Sequence, residues 1–145
     1  MHSSLSDEFD QRGALESLAG ILVDLRQTLR LEAPDHPLCP DGPTMNLAVK
    51  AEGGVGFGVL PGDAVVWGDV RTVPGMTRST FERDMELALD RIRPRYPDVD
   101  IAFAVSEDLG WLEPTEIPSD HAAVEACQYA AREVLGEALP LRAFP

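Results

Sequence analysis

Between Thr44 and Val73 the chain carries two period-two runs around a glycine-rich link, and no other stretch constrains the architecture as much. "TMNLAVKAE" alternates Leu47, Val49 and Ala51 with Asn46, Ala48 and Lys50. "AVVWGDVRTV" sets Val65, Trp67, Asp69, Arg71 and Val73 on one side, and Ala64, Val66, Gly68, Val70 and Thr72 on the other. Successive strand residues point to opposite faces, so each run predicts a strand with one face turned to a core. The link "GGVGFGVLPGD" has the glycines and proline of a reversing connection, which predicts neighbouring antiparallel strands.

Helical patterns flank this hairpin. From Gly13 to Leu31, Leu15, Leu18, Leu22, Leu25 and Leu29 recur at steps of three and four, one stripe of an amphipathic helix. The four prolines of "EAPDHPLCPDGP" forbid its continuation and predict a crossing loop. After Pro74-Gly75, Thr77 or Ser79 can cap a second helix that buries Phe81, Met85, Ala88 and Ile92 and closes at Pro94. "VDIAFAV" then predicts an edge or half-buried strand with Val99, Ile101, Phe103 and Val105 on one side. Beyond the loop "LGWLEPTEIPSD", Ser119 or Asp120 caps a third helix that carries Val124, Cys127, Ala131 and Val134 and ends at Gly136. With one strand restored before the first helix, the order is β-α-β-β-α-β, the split βαβ arrangement of ferredoxin-like domains. The expectation is an α+β chain with an antiparallel sheet, two helices on one face, and a loop and C-terminal helix after them.

Charge narrows the partners. A formal net charge of −13 over 145 residues repels phosphate backbones and anionic lipid, because such binding draws on Lys and Arg releasing counterions. Neither nucleic acid nor a membrane surface is expected as a partner. No basic, apolar leader opens the sequence and no run approaches the roughly 20 apolar residues of a membrane span, so the expected address is the cytoplasm. Cys39 and Cys127 have no zinc-type spacing and are expected as free thiols.

Few residues announce chemistry. The pairs Asp35-His36 and Asp120-His121 lack further ligands at useful spacing, and adjacent helical residues diverge by about 100°. Surface or capping roles are expected for both. "GGVGFG" lies between strands and does not open a helix, so it fails the context a phosphate cradle needs. Arg71 shares a strand face with Asp69, and two readings stand: an exposed ion pair of little worth, or a planar fork on a rigid sheet that receives a carboxylate.

Four segments bear a resemblance. "MHSS", "DHPLCPDGPTMNLAVKAEGG", "LPGDAVVWGDVRTVPGMT" and "PSDHAAVEACQYAAREVLG" follow one another in the order and approximate spacing of the dinuclear-zinc amidohydrolase and exopeptidase family, of the acetylornithine deacetylase, succinyl-diaminopimelate desuccinylase and carboxypeptidase G type. The resemblance implies a catalytic domain that holds two zinc (or cobalt) ions and an inserted ferredoxin-like lid that makes a homodimer. Residues 1–106 resemble the lid, with its first strand truncated, and residues 107–145 the linker and helix that return to the catalytic domain.

No metal ligand or general-base Glu of the family falls within this sequence, so no cofactor is expected in the chain itself and the chain alone is expected to be inactive. His2 falls where the family places a His that reaches the partner subunit's site and donates to the tetrahedral oxyanion. Arg71 falls where an Arg binds the carboxylate of an N-acyl amino acid or peptide substrate. The family's Asn three residues before the hairpin proline falls on Gly58, where this sequence departs from the pattern. A sheet missing an interior strand exposes edges that invite association, so a dimer or an aggregation-prone species is expected. A free-standing ferredoxin-like module that dimerises or binds a small ligand without catalysis is the alternative.

Overall fold

The computed structural model describes residues 12–108 and 110–143. Its elements are helix α1 (Ala14–Thr28), strands β1 (Thr44–Gly53) and β2 (Ala64–Arg71), helix α2 (Arg78–Ile92) with a 3₁₀ turn at Arg93–Arg95, and helix α3 (Ala122–Leu135). The mixed α+β architecture matches the sequence expectation, with α1, β1, β2 and α2 in the predicted order.

α1 ends at Thr28 because Leu29 turns extended, which lets Leu29 and Leu31 lean onto the core instead of continuing the helix. The core itself is mostly α2. Leu25 of α1 meets Phe81, Met85, Ala88, Leu89 and Ile92, and half-buried Met45, Leu47 and Val70 cover them from the sheet. Each large apolar side chain buried this way contributes roughly 1.5–3 kcal/mol. α2 starts where the sequence allows it: the Thr77 hydroxyl accepts from the Thr80 N–H and the Thr80 hydroxyl accepts from the Thr77 N–H, both at 3.2 Å. That reciprocal box satisfies two donors the helix leaves over. Asp24 ties α1 to the turn after α2, accepting from Arg95 at 2.8 Å and from the Tyr96 hydroxyl at 3.0 Å. Burial raises the Tyr96 phenol above its ordinary value, and the bond to Asp24 adds to the shift.

β1 and β2 pair antiparallel from Gly53↔Ala64 to Thr44↔Arg71, but the strict alternation predicted for β1 does not hold. Lys50 faces Trp67 while Asn46 faces Asp69, so four steps on β1 answer two on β2. The cause is local. Asn46 Oδ1 accepts the Ala48 N–H at 3.2 Å, a side-chain turn that takes over from the ladder. Leu47 stays against the core while Val49 is 59% exposed. Gly68 lies opposite this bulge, and a Cβ there would sit 2.9 Å from the Asn46 carbonyl.

The strand predicted at Val99–Val105 is corrected as well. Ile101, Phe103 and Val105 are half-buried against the core in the expected alternation, yet the segment joins no ladder among the described residues. In the split βαβ order its neighbour would be a strand before α1, and the residues at that place lie outside the described ones. The Ile101 carbonyl is instead taken by Arg93, whose Nε and Nη2 donate to it at 3.2 and 3.0 Å.

A second small core holds the crossing loop. Cys39, Val73 and Met76 are buried together, with Ala33 and Ala143 against them. Gly75 adopts φ +88°, and a Cβ on it would come within 2.7 Å of Pro34 Cγ. Gly75→Ala is therefore expected to lower stability by about 1–3 kcal/mol, read as an earlier midpoint in urea with unchanged slope. α3 packs on none of the other helices or strands among the described residues and buries no residue. Its cap also differs from the expectation of Ser119 or Asp120: His121 is the N-cap, and its Nδ1 accepts the Ala123 N–H at 3.1 Å. Gly136 ends it in the left-handed conformation, as predicted.

Candidate functional site

The helices cover one face of the hairpin and leave the other open. Val65, Trp67, Asp69 and Arg71 of β2 point to that open face, as their period of two predicts, and the register places Thr44 beside Arg71 and Asn46 beside Asp69. Arg71 Nε donates to Asp69 Oδ2 at 3.1 Å, and both side chains are about half exposed (58% and 49%). A pair this open contributes little stability. Its geometric effect is larger: with Nε held, the two Nη groups project as a fork that has no acidic partner among the described residues, the arrangement that takes a carboxylate through two parallel hydrogen bonds. Further along the same face, Lys50 Nζ stands 4.6 Å from the centre of the Trp67 ring and also pairs with Glu52. The sequence placed Lys50 and Trp67 on strands but could not bring them opposite, because the bulge sets that register.

The hairpin tip is the second candidate region. From Gly53 to Leu60 it carries no polar side chain, and Val55 and Phe57 stand free in solvent. Gly58 has φ +78°, a conformation that glycine and, after it, asparagine adopt most readily, so the backbone at this position suits the Asn of the resemblance although the amide is missing. Gly58 and Arg71 are not brought together. Arg71 ends β2 at the open end of the hairpin and Gly58 lies beyond its other end, with the rest of β2 between them, roughly 23 Å of strand. His2 lies outside the described residues.

His36 and His121 take structural places. His36 Nε2 is 2.7 Å from Glu116 Oε2, while Nδ1 accepts the Leu38 N–H at 3.3 Å. That contact joins positions 80 apart and left no trace in the sequence pattern. Cys39 is buried and Cys127 exposed, and both are free thiols. Among the described residues no three His, Cys, Asp or Glu side chains gather as a metal site requires, so their donor set does not fit a zinc ion. No helix among them is long and apolar enough to cross a membrane.

Comparison with known families decides the relationship: residues 1–97, two-thirds of the chain, match the peptidase dimerisation domain. The chain belongs to that family. No curated protein and no solved structure matches it. The dimerisation domain thus spans α1, the β1–β2 hairpin and α2, which share the main core, and it contains Arg71 and the glycine-rich tip. The extended segment 101–105, the linker and α3 follow the matched residues.

Proposed function

We propose that this dimerisation domain is the lid of a zinc-dependent amidohydrolase or exopeptidase, and that it joins two copies of the chain while presenting Arg71 to the carboxylate of an N-acyl amino acid or peptide. The family match carries the reading, and the open face of the sheet supports it. A substrate carboxylate would meet the fork left free by Asp69, a contact that orients the amide without taking part in bond cleavage. His2 belongs to this reading by resemblance as the oxyanion donor to the partner subunit, an interaction that strengthens only as charge develops. Two zinc or cobalt ions would be held by parts of the enzyme other than the described residues. A cytoplasmic setting completes the proposal.

Self-association has a physical basis in β1. In the ferredoxin-like order, β2 is interior and its free edge faces the strand before α1, while β1 ends the sheet. From Thr44 to Gly53 the outer edge of β1 offers N–H and C=O groups that pair with nothing in the described sheet, and Val49 adds exposed apolar surface. Such an edge is a template for another strand.

The catalytic half of the proposal is tested by the purified chain. It is expected to show no turnover of N-acyl amino acids or dipeptides with added zinc or cobalt, because water activation needs a metal held with an open position. Hydrolysis above the metal-only background that His2→Ala abolishes would contradict this.

A further inference from the structure

The linker between the dimerisation domain and α3 reaches back to the crossing loop through one imidazole. His36 Nε2 lies 2.7 Å from Glu116 Oε2, and Nδ1 accepts the Leu38 N–H at 3.3 Å. An imidazole nitrogen that accepts a hydrogen bond carries no hydrogen, so the tautomer follows from the geometry. Nδ1 is bare, and Nε2 carries the proton and donates it to the carboxylate. Both nitrogens are therefore satisfied in the neutral ring. The His36 side chain is 16% exposed against 56% for Glu116, so the ring has little room to swing into water while its partner is wet.

The loop around the ring is tightly turned. Pro37 restricts the backbone between His36 and Leu38, and the Cys39 N–H closes a turn onto the His36 carbonyl at 3.0 Å. The Leu38 carbonyl in turn accepts the Ala143 N–H at 3.3 Å. α3 packs on no other helix or strand among the described residues, so two contacts tie its flanks to the crossing loop: Glu116 to His36 before it and Ala143 to Leu38 after it. Arg26 of α1 and Arg30, Asp35, Cys39 and Asp41 of the segment after it border the same cavity as the ring, and Arg142 adjoins Ala143. The four charges on that cavity are two of each sign, and Glu116 is the acid paired with the ring among the described residues.

We propose that His36 is a pH-sensitive latch between the crossing loop and the linker: the neutral ring closes the turn at Leu38, and the protonated ring keeps Glu116 but gives up Leu38. Imidazole changes charge between about pH 5 and 8. The second proton has one place to go, Nδ1, where it faces the hydrogen of the Leu38 amide. Two donors then point at each other and the bond is lost. At Nε2 the same protonation turns a hydrogen bond to a carboxylate into one charged on both sides, which holds Glu116 more firmly. Acidification thus opens the turn while the linker stays fastened. This inference rests on neither the catalytic reading nor dimerisation.

Heteronuclear NMR of the chain between about pH 8 and about pH 5.5 is the test. At the upper pH the His36 ring is expected as the tautomer with its proton on Nε2. At the lower pH the Leu38 amide should lose protection about fivefold or more, measured as intrinsic over observed hydrogen exchange. Gly42, whose N–H donates to the Cys39 carbonyl at 3.0 Å, should keep its own protection. His36→Asn separates titration from turn formation: the Asn side-chain oxygen accepts an N–H two residues on but does not titrate, so Leu38 should stay protected throughout. His36→Ala should leave Leu38 unprotected throughout. A ring with its proton on Nδ1 at the upper pH, Leu38 protection that does not change with pH, a loss shared by Gly42, or an equal loss in His36→Asn would each overturn the latch.

Discussion

Phe81→Ala is expected to lower stability by about 3–5 kcal/mol, enough to unfold much of a marginally stable population at 37 °C. Phe81 opens α2 at the point where three otherwise separate parts of the chain converge. Its ring meets Phe103 edge-on at 5.7 Å and Trp111 in a tilted stack at 5.5 Å, and it is 4% exposed. Truncation removes the ring's own burial and leaves a cavity that neither partner can fill, since both rings rest on extended segments outside the helices. Trp111 already has a buried indole N–H with no acceptor among the described residues, so its position depends on packing. Urea unfolding followed by tryptophan fluorescence measures the loss. Phe81→Leu, which keeps most of the volume, should recover a large part of it.

Asp84→Ala has the second large effect, about 1.5–3 kcal/mol. Asp84 is the buried charged residue of the core region, 6% exposed, on the side of α2 that faces the start of the crossing loop. Its Oδ2 accepts the Glu32 N–H at 2.7 Å, and its Oδ1 accepts from Arg83 Nη2 at 2.8 Å and Nε at 3.1 Å. Arg83 also reaches Glu32, so one guanidinium and one carboxylate fasten the loop where α1 has just ended. The hydrogen bond that Arg83 donates to Asp84 is the first cause of the raised pKa of the guanidinium. Removing the carboxylate strands the Glu32 N–H and frees the loop at its root. Asp84→Asn keeps an acceptor and should cost less. The amide exchange rate of Glu32 separates the two, rising in the Ala variant and staying near wild type in the Asn variant.

These two residues show what a sequence yields and what it withholds. Phe81 belonged to a stripe with Met85, Ala88 and Ile92, so its burial was legible, and Thr77 was legible as the cap before it. Asp84 borders the same stripe, but nothing in the pattern marks what satisfies its carboxylate, because its partner, the Glu32 N–H, lies 52 positions away. The same separation hid His36 and Glu116. In β1 a single side chain overrode the pattern: period two predicts that Leu47 and Val49 share an environment, and the turn made by Asn46 parts them. The segment Val99–Val105 kept the alternation of a strand without its ladder, because pairing needs a neighbour and alternation needs only a core on one side.

The candidate site divides in the same way. Asp69 and Arg71, two residues apart on one strand, were legible as a pair, since that spacing alone sets both on one face. The meeting of Trp67 with Lys50 was not, because it depends on a register that the bulge alters.

The mass of the chain in solution tests the central claim most directly. Sedimentation velocity across micromolar concentrations is expected to show a species of twice the 15.8 kDa chain mass, and Val49→Lys, which sets a charge on the exposed edge strand, should shift it to the monomer with an unchanged far-ultraviolet spectrum. A wild-type chain that sediments as a folded monomer throughout that range would contradict the account.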